Sequence, residues 1–143
     1  MLNEDLLSRF PMSEIFALHN LPGTEMGRLI TRKGLICSSE SLFEIKLKGQ
    51  GGHASMPQVG RDTISIGSEI IQSLQNIISK RLPPGSGSVI SVTEFTSDGA
   101  RNVLPGTSFI KGDVRSRNEE HRLEIKRLMT NIVDGISRAH DIE

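Results

Sequence analysis

Apolar and polar residues alternate in three stretches of this chain, around residues 43–48, 88–96 and 107–115. Successive side chains of a strand point to opposite faces, so each stretch predicts a β-strand with one buried face and one polar face. The dipeptide Asp98-Gly99 is a turn signal that separates the last two stretches.

Two further stretches repeat apolar residues every three or four positions, which is the period of an amphipathic α-helix. The first begins after Asp62, a good helix cap, and is ended by Pro83-Pro84-Gly85. The second follows Ser116 and Glu119, which have the spacing of a capping box. The two apolar stripes consist of Ile66, Ile70, Leu74, Ile77 and Ile78, and of Leu128, Met129, Ile132, Val133 and Ile136.

The resulting order, β-α-β-β-α, predicts an α+β fold in which both helices cover one face of an antiparallel sheet. This is a ferredoxin-like two-layer sandwich whose last strand is missing or reduced to a stub, since the chain ends at residues 140–143. Residues 1–40 differ from the rest, because they contain many turn signals and only two short apolar runs. They are interpreted as a border region of a larger structure.

Composition excludes several classes of protein. The 17 basic residues balance the 17 acidic ones, and Trp and Tyr are absent, so no nucleic-acid partner is expected. No apolar run reaches the roughly 20 residues that span a bilayer, so no membrane partner is expected. Cys37 is the only cysteine and the N-terminus has no signal-peptide pattern. These features predict a soluble, cytoplasmic protein.

Four residues are candidates for chemistry, each with a plainer alternative. His53 follows the glycine-rich turn 49–52, where glycines permit positive φ, but a surface histidine in a loop is equally ordinary. His19 ends an apolar run and could bind a metal or simply be buried. Asn102 could bind a substrate or close a turn. Arg115 could pair with a carboxylate or be a solvated strand residue.

Six segments, taken in order, resemble the aminoacylase-like metallopeptidases, within the branch of hippurate hydrolases and auxin-amino-acid conjugate hydrolases. The resemblance implies that residues 39–143 are the lid and dimerisation domain and that residues 1–38 are a remnant of the catalytic domain. The matching segments are Phe16-Ala17-Leu18-His19-Asn20 with Pro22-Gly23, Gly49-Gln50-Gly51-Gly52-His53-Ala54-Ser55-Met56-Pro57, Asp62, Val89-Ile90-Ser91-Val92-Thr93, Asn102-Val103-Leu104-Pro105 and Gly112-Asp113-Val114-Arg115.

The resemblance also implies roles for individual residues. His19 matches a metal ligand, and His53 matches a histidine that reaches the partner subunit's active site and stabilises the oxyanion. Asn102 and Arg115 match substrate-binding residues. The parent enzyme would be a homodimer that hydrolyses N-acyl amino acids with zinc, manganese, cobalt or nickel. The family's other metal ligands and its general base are absent from the sequence, so this chain alone is expected to be inactive and to bind no metal.

Two other functions remain open at the level of the sequence. The chain could be a non-enzymatic dimerisation or interaction module that pairs with an intact homologue. It could instead be a regulatory domain that binds a small ligand, which rests on fold analogy alone.

Overall fold

The computed structural model describes residues 5–143, which divide into two compact units, one ending at Arg32 and one spanning Lys33–Glu143. The first unit contains one short helix, α1 (Leu6–Arg9), followed by turns. No residue of the range 5–32 is buried, and Phe16 and Leu18 are 87% and 88% exposed. Contiguous exposed apolar side chains of this kind normally mark a surface that packs against other structure.

The second unit contains five strands and two helices. β1, β3 and β5 are the long strands predicted from alternation, whereas β2 and β4 have two residues each. A single turn of 3₁₀ helix (Pro57–Val59) precedes the first helix, and a π-helical turn (Ile77–Arg81) extends it. The elements are β1 (Ser39–Lys48), β2 (Gly52–His53), α2 (Thr63–Asn76), β3 (Val89–Ser97), β4 (Val103–Leu104), β5 (Thr107–Ser116) and α3 (Glu119–Ala139).

Three of the strands form an antiparallel sheet in the order β1-β5-β3. β5 lies in the centre, with Ile45 of β1 and Phe95 of β3 on either side of Ile110. A bulge between Val92 and Glu94 leaves Thr93 without a partner in β5. The predicted α+β, ferredoxin-like class is confirmed.

The helices cover one face of this sheet and form the core with it. Along β5 every second residue, from Ser108 to Ser116, is buried, and the residues between them are half-buried. The alternation seen in the sequence therefore identifies the core face correctly. The buried apolar side chains are Leu47, Ile66, Ile70, Leu74, Ile77, Leu82, Ile90, Ile110, Val114, Ile125, Leu128 and Met129.

The two helix starts test the predicted caps. Asp62 caps α2 as expected, since its Oδ1 accepts the Ile64 N–H at 2.9 Å. The predicted capping box at Ser116 and Glu119 is wrong, because Asn118 caps α3 and its Oδ1 accepts the His121 N–H at 2.8 Å. The Ser116 hydroxyl instead donates to the Asn118 carbonyl. Asparagine is as good a cap as serine, and it lies closer to the helix.

The last residue takes the position where a fourth strand would begin. Lys48 N–H donates to the Glu143 carbonyl at 2.7 Å, and Glu143 N–H donates to the Lys48 carbonyl at 3.0 Å. Reciprocal bonds of this kind define an antiparallel pair, so the predicted stub lies beside the end of β1. Within residues 5–143, no helix is both long and apolar enough to cross a membrane.

Candidate functional site

A small ribbon, β2 paired with β4, brings together the loops that carry His53 and Asn102. His53 lies opposite Val103, and Gly52 lies opposite Leu104. The Ala54 N–H donates to the Asn102 carbonyl at 3.0 Å, so the two candidate residues are adjacent across the ribbon. Both side chains belong to exposed residues. Strands of two residues have no detectable period, which is why the sequence did not predict this pairing.

The glycines before His53 have a different structural role from the positive φ that the sequence led us to expect. None of those at 49, 51 and 52 has positive φ, so the expectation of left-handed backbone is wrong. A Cβ on Gly49 would overlap the Arg61 carbonyl oxygen, and one on Gly51 would lie 2.9 Å from the Leu104 carbonyl oxygen. These two glycines allow neighbouring backbone segments to approach closely, which fixes the path of the chain into His53.

A carboxylate holds the other side of the ribbon. Asp98 Oδ1 accepts the N–H groups of Gly106 and Thr107 at 2.9 and 3.0 Å. The hydrogen bond from the Thr107 N–H is the largest of the effects that lower the pKa of Asp98, although the side chain is solvent-exposed. This bond closes the loop that presents Asn102 and ties it to the start of β5.

His53 is itself held by the turn that follows it. The Met56 N–H donates to the His53 carbonyl at 2.9 Å, which closes a turn over Ala54 and Ser55. The imidazole Nδ1 lies 2.7 Å from the Ser55 hydroxyl oxygen and 3.2 Å from the Ser55 backbone nitrogen. The ring is therefore exposed, and its contacts with Ser55 restrain its orientation.

Arg115 lies at the other end of the sheet. It is eight residues along β5 from Thr107, which corresponds to about 27 Å of extended strand. Its guanidinium forms ion pairs with Asp113, at 2.5 Å, and with Glu40. The hydrogen bond to Asp113 is the largest effect that raises the pKa of Arg115. The structure does not bring Arg115 together with His53 and Asn102.

His19 lies in the first unit and is exposed. Its Nδ1 is 2.7 Å from the Asn20 carbonyl oxygen, which can only accept, so Nδ1 donates. Across the range 5–143, no three His, Cys, Asp or Glu side chains are placed to hold a metal ion. A hydrolytic metal site needs about three protein ligands, so the described residues do not form one.

The fold and the paired loops match one family of domains. Residues 41–141 match the model of the M20 peptidase dimerisation domain, and the chain belongs to this family. The predicted resemblance to these amidohydrolases and metallopeptidases is confirmed.

Several curated relatives are hydrolases by name. The chain is 33% identical over 136 residues to the N-acetyldiaminopimelate deacetylase of Bacillus subtilis, covering 95% of this chain and 36% of that protein. It is 32% identical over 143 residues to the hippurate hydrolase of Campylobacter jejuni, covering all of this chain and 37% of that protein. The N-acyl-L-amino acid amidohydrolase of Geobacillus stearothermophilus is 36% identical over 126 residues, which are 88% of this chain and 34% of that protein.

Solved structures give the same result for the fold. A protein described as an aminohydrolase, from methicillin-resistant Staphylococcus aureus, superimposes with a TM-score of 0.74 at 28% identity over 78% of this chain and 29% of that chain. An aminobenzoyl-glutamate utilization protein from Klebsiella pneumoniae has a TM-score of 0.64 at 19% identity, over 75% and 27% of the two chains, and supports the fold alone. The chain thus spans little more than a third of the curated relatives it matches.

Proposed function

We propose that this chain supplies the lid and dimerisation part of a metal-dependent amidohydrolase that cleaves N-acyl amino acids. The names of three relatives share an N-acyl amino acid as the substrate class, which supports this reaction. The division into a catalytic remnant, residues 1–38, and a lid, residues 39–143, is part of the proposal. The metal, whether zinc, manganese, cobalt or nickel, would be held largely by residues outside this chain.

The observation that carries the proposal is the position of His53 and Asn102 on one ribbon. When the amide of a substrate is attacked, its carbonyl oxygen becomes an oxyanion, and N–H donors placed in advance stabilise that charge. An imidazole N–H of His53 and the side-chain amide of Asn102 are donors of this kind, and the ribbon brings the backbone of the two residues into neighbouring positions, with His53 opposite Val103. The specific oxyanion role of His53 and the substrate-binding role of Asn102 are proposals on this basis.

Arg115 would act on a different substrate molecule from the one that His53 contacts. About 27 Å of strand separates Arg115 from the start of β5, and an N-acyl amino acid is only a few bonds long. If both residues bind substrate, one chain therefore contributes to two active sites. A homodimer provides two such sites related by a two-fold axis.

The free edge of β3 is the proposed dimer contact. Within the described sheet β3 pairs only with β5, so its outer edge has unpaired backbone groups. Such an edge readily pairs with a second strand. Two copies joined along this edge would form one assembly that contains both ribbons. The proposed role, in which His53 of one copy reaches the active site of the other, requires such an assembly.

The proposal can be tested in a chimera in which residues 41–141 replace the corresponding segment of the Geobacillus stearothermophilus amidohydrolase. The chimera is expected to hydrolyse N-acetyl and N-benzoyl amino acids. His53→Gln should lower kcat by about 10²- to 10³-fold, the usual effect of removing an oxyanion donor. His121→Gln is the matched control, since His121 lies in the first turn of α3, beyond the Arg115 end of β5. Equal activity of the His53→Gln and His121→Gln chimeras would contradict the proposal.

A further inference from the structure

The contacts of His53 define which of its ring nitrogens carries hydrogen. The Ser55 backbone N–H lies 3.2 Å from Nδ1, and a backbone N–H can only donate. Nδ1 must then accept, which requires that it carry no hydrogen. The Ser55 hydroxyl, 2.7 Å from the same nitrogen, can donate to its lone pair or accept from an Nδ1–H, so this contact is compatible with either tautomer.

A neutral imidazole with a bare Nδ1 carries its hydrogen on Nε2. This matters because only an N–H can stabilise an oxyanion, whereas a bare ring nitrogen would present a lone pair to it and repel it. The opposite tautomer of His53 would lose the bond from the Ser55 backbone N–H, would keep the hydroxyl only as an acceptor, and would leave Nε2 unable to donate.

We propose that Ser55 is a positioning residue: its backbone N–H fixes His53 as the Nε2–H tautomer, and its hydroxyl holds the ring in the orientation needed for donation. This inference rests on the proposed role of His53 and adds the group that makes the role possible. Ser55 acts through Nδ1 and is not expected to touch the substrate. The turn closed by the Met56 N–H supplies the geometry, because it folds residue 55 back over the ring of residue 53.

The tautomer can be measured on the 143-residue chain without any assay of activity. The ¹⁵N chemical shifts of the imidazole nitrogens, recorded at a pH where the ring is neutral, distinguish a protonated from a bare nitrogen. His53→Gln identifies the His53 signals, and the same chain unfolded in urea gives the reference population. The folded chain should show a larger Nε2–H fraction than the unfolded chain.

Two variants separate the hydroxyl from the backbone N–H. Ser55→Ala and Ser55→Thr both keep the backbone N–H, so both should keep the larger Nε2–H fraction of the folded wild-type chain. A folded wild-type chain with hydrogen on Nδ1 would overturn the inference. An Nε2–H fraction in Ser55→Ala that falls to that of the unfolded chain would overturn the role of the backbone N–H too.

The catalytic activity of the chimera described above provides a second, independent test of the role of Ser55. Ser55→Ala should lower kcat roughly two- to tenfold with little change in KM, as expected for the loss of one neutral hydrogen bond. Ser55→Thr should recover the loss. If His53→Gln leaves activity intact, the proposed function fails whatever the tautomer. If His53→Gln is inactive but the Nε2–H fraction of the folded chain does not exceed that of the unfolded chain, only the role of Ser55 fails.

Discussion

At the scale of single residues, the ribbon is held by groups that pair with backbone rather than by burial. Asp98, the glycines at 49 and 51, and Ser55 each fix a backbone segment or a ring close to His53 or Asn102. In the proposed function the ribbon meets another part of an enzyme, so it cannot be buried in its own domain. Hydrogen bonds and close backbone contacts therefore replace the core as the source of order.

Asp98 predicts a pH dependence of stability. Its pKa is lowered in the folded chain, chiefly by the Thr107 N–H, so its charged form stabilises the fold. That contribution is complete above the ordinary carboxyl pKa of about 3.9 and is lost as the pH falls through the lower folded value. Asp98→Ala should lower Tm at pH 7, and the difference from wild type should shrink as the pH falls below about 4.

Asp98→Asn is the matched control for the charge. The amide oxygen can still accept from the Gly106 and Thr107 N–H groups, so the variant should lie between wild type and Asp98→Ala at pH 7. Thermal unfolding followed by circular dichroism over this pH range measures all three proteins. A Tm difference between wild type and Asp98→Ala that is constant down to the lowest pH would contradict this account.

At the scale of elements, the periodic patterns predicted the three sheet strands and both long helices, because each element has one buried and one polar face. Two features escaped prediction for physical reasons. β2 and β4 are too short to have a period, and their pairing depends on contacts between loops fifty residues apart in the chain. Two good caps, Ser116 and Asn118, precede α3, and only the backbone geometry decides between them.

Two glycines should respond to alanine in opposite directions. A Cβ on Gly112, in the central strand, would overlap the Ser91 carbonyl oxygen and the Phe43 ring. The ring can move as a side chain, but the carbonyl oxygen can give way only through a shift of the backbone. Gly112→Ala should therefore destabilise the fold by about 1–3 kcal/mol. Gly135, inside α3, has nothing within 4 Å of such a Cβ. Gly135→Ala should stabilise it by roughly 0.5–1 kcal/mol through helix propensity.

Urea denaturation of both glycine variants gives the two free energies of unfolding directly. The comparison controls for the chemistry of the substitution, because the change is Gly→Ala in each. Equal effects at the two positions would contradict the packing described for the central strand.

The proposed dimer contact at the edge of β3 can be tested by a proline substitution at Thr93. Thr93 is the bulged residue and has no partner in β5, so removing its N–H costs the chain's own sheet little. On a paired edge the same change removes a hydrogen bond and introduces a clash. Thr93→Pro should weaken the dimer at least tenfold in sedimentation equilibrium while the circular dichroism spectrum is retained. Thr93→Ala keeps the N–H and should remain dimeric, whereas a dimeric Thr93→Pro would place the contact elsewhere.

At the scale of the whole molecule, the proposed function makes this chain one part of a site whose other parts lie outside it. The sequence predicted the candidates His53 and Asn102 singly, and their family resemblance gave them roles. Their adjacency could not be read from periodicity, since it follows from the ribbon. Likewise the separation of Arg115 from both is a property of the strand length and register, which only the fold defines.

The purified chain should not hydrolyse hippurate or N-acetyl amino acids, with or without added zinc, manganese, cobalt or nickel. The described residues place no three ligands around a common point, so nothing would hold and activate a metal-bound water. Turnover is measured by amino-acid release, with the Geobacillus stearothermophilus amidohydrolase as the positive control. Metal-dependent turnover that co-purifies with the chain and disappears in His53→Gln would refute this.

The most direct test of the central claim asks in which subunit His53 acts. One version of the chimeric enzyme carries His53→Gln, and a second lacks the general base of its catalytic part. Each homodimer should be inactive. If His53 acts across the dimer, mixing the two should restore activity, up to roughly a quarter of the wild-type sites in a random mixture of two-fold dimers. If the mixed dimers remain as inactive as either parent, His53 does not act on its partner's active site.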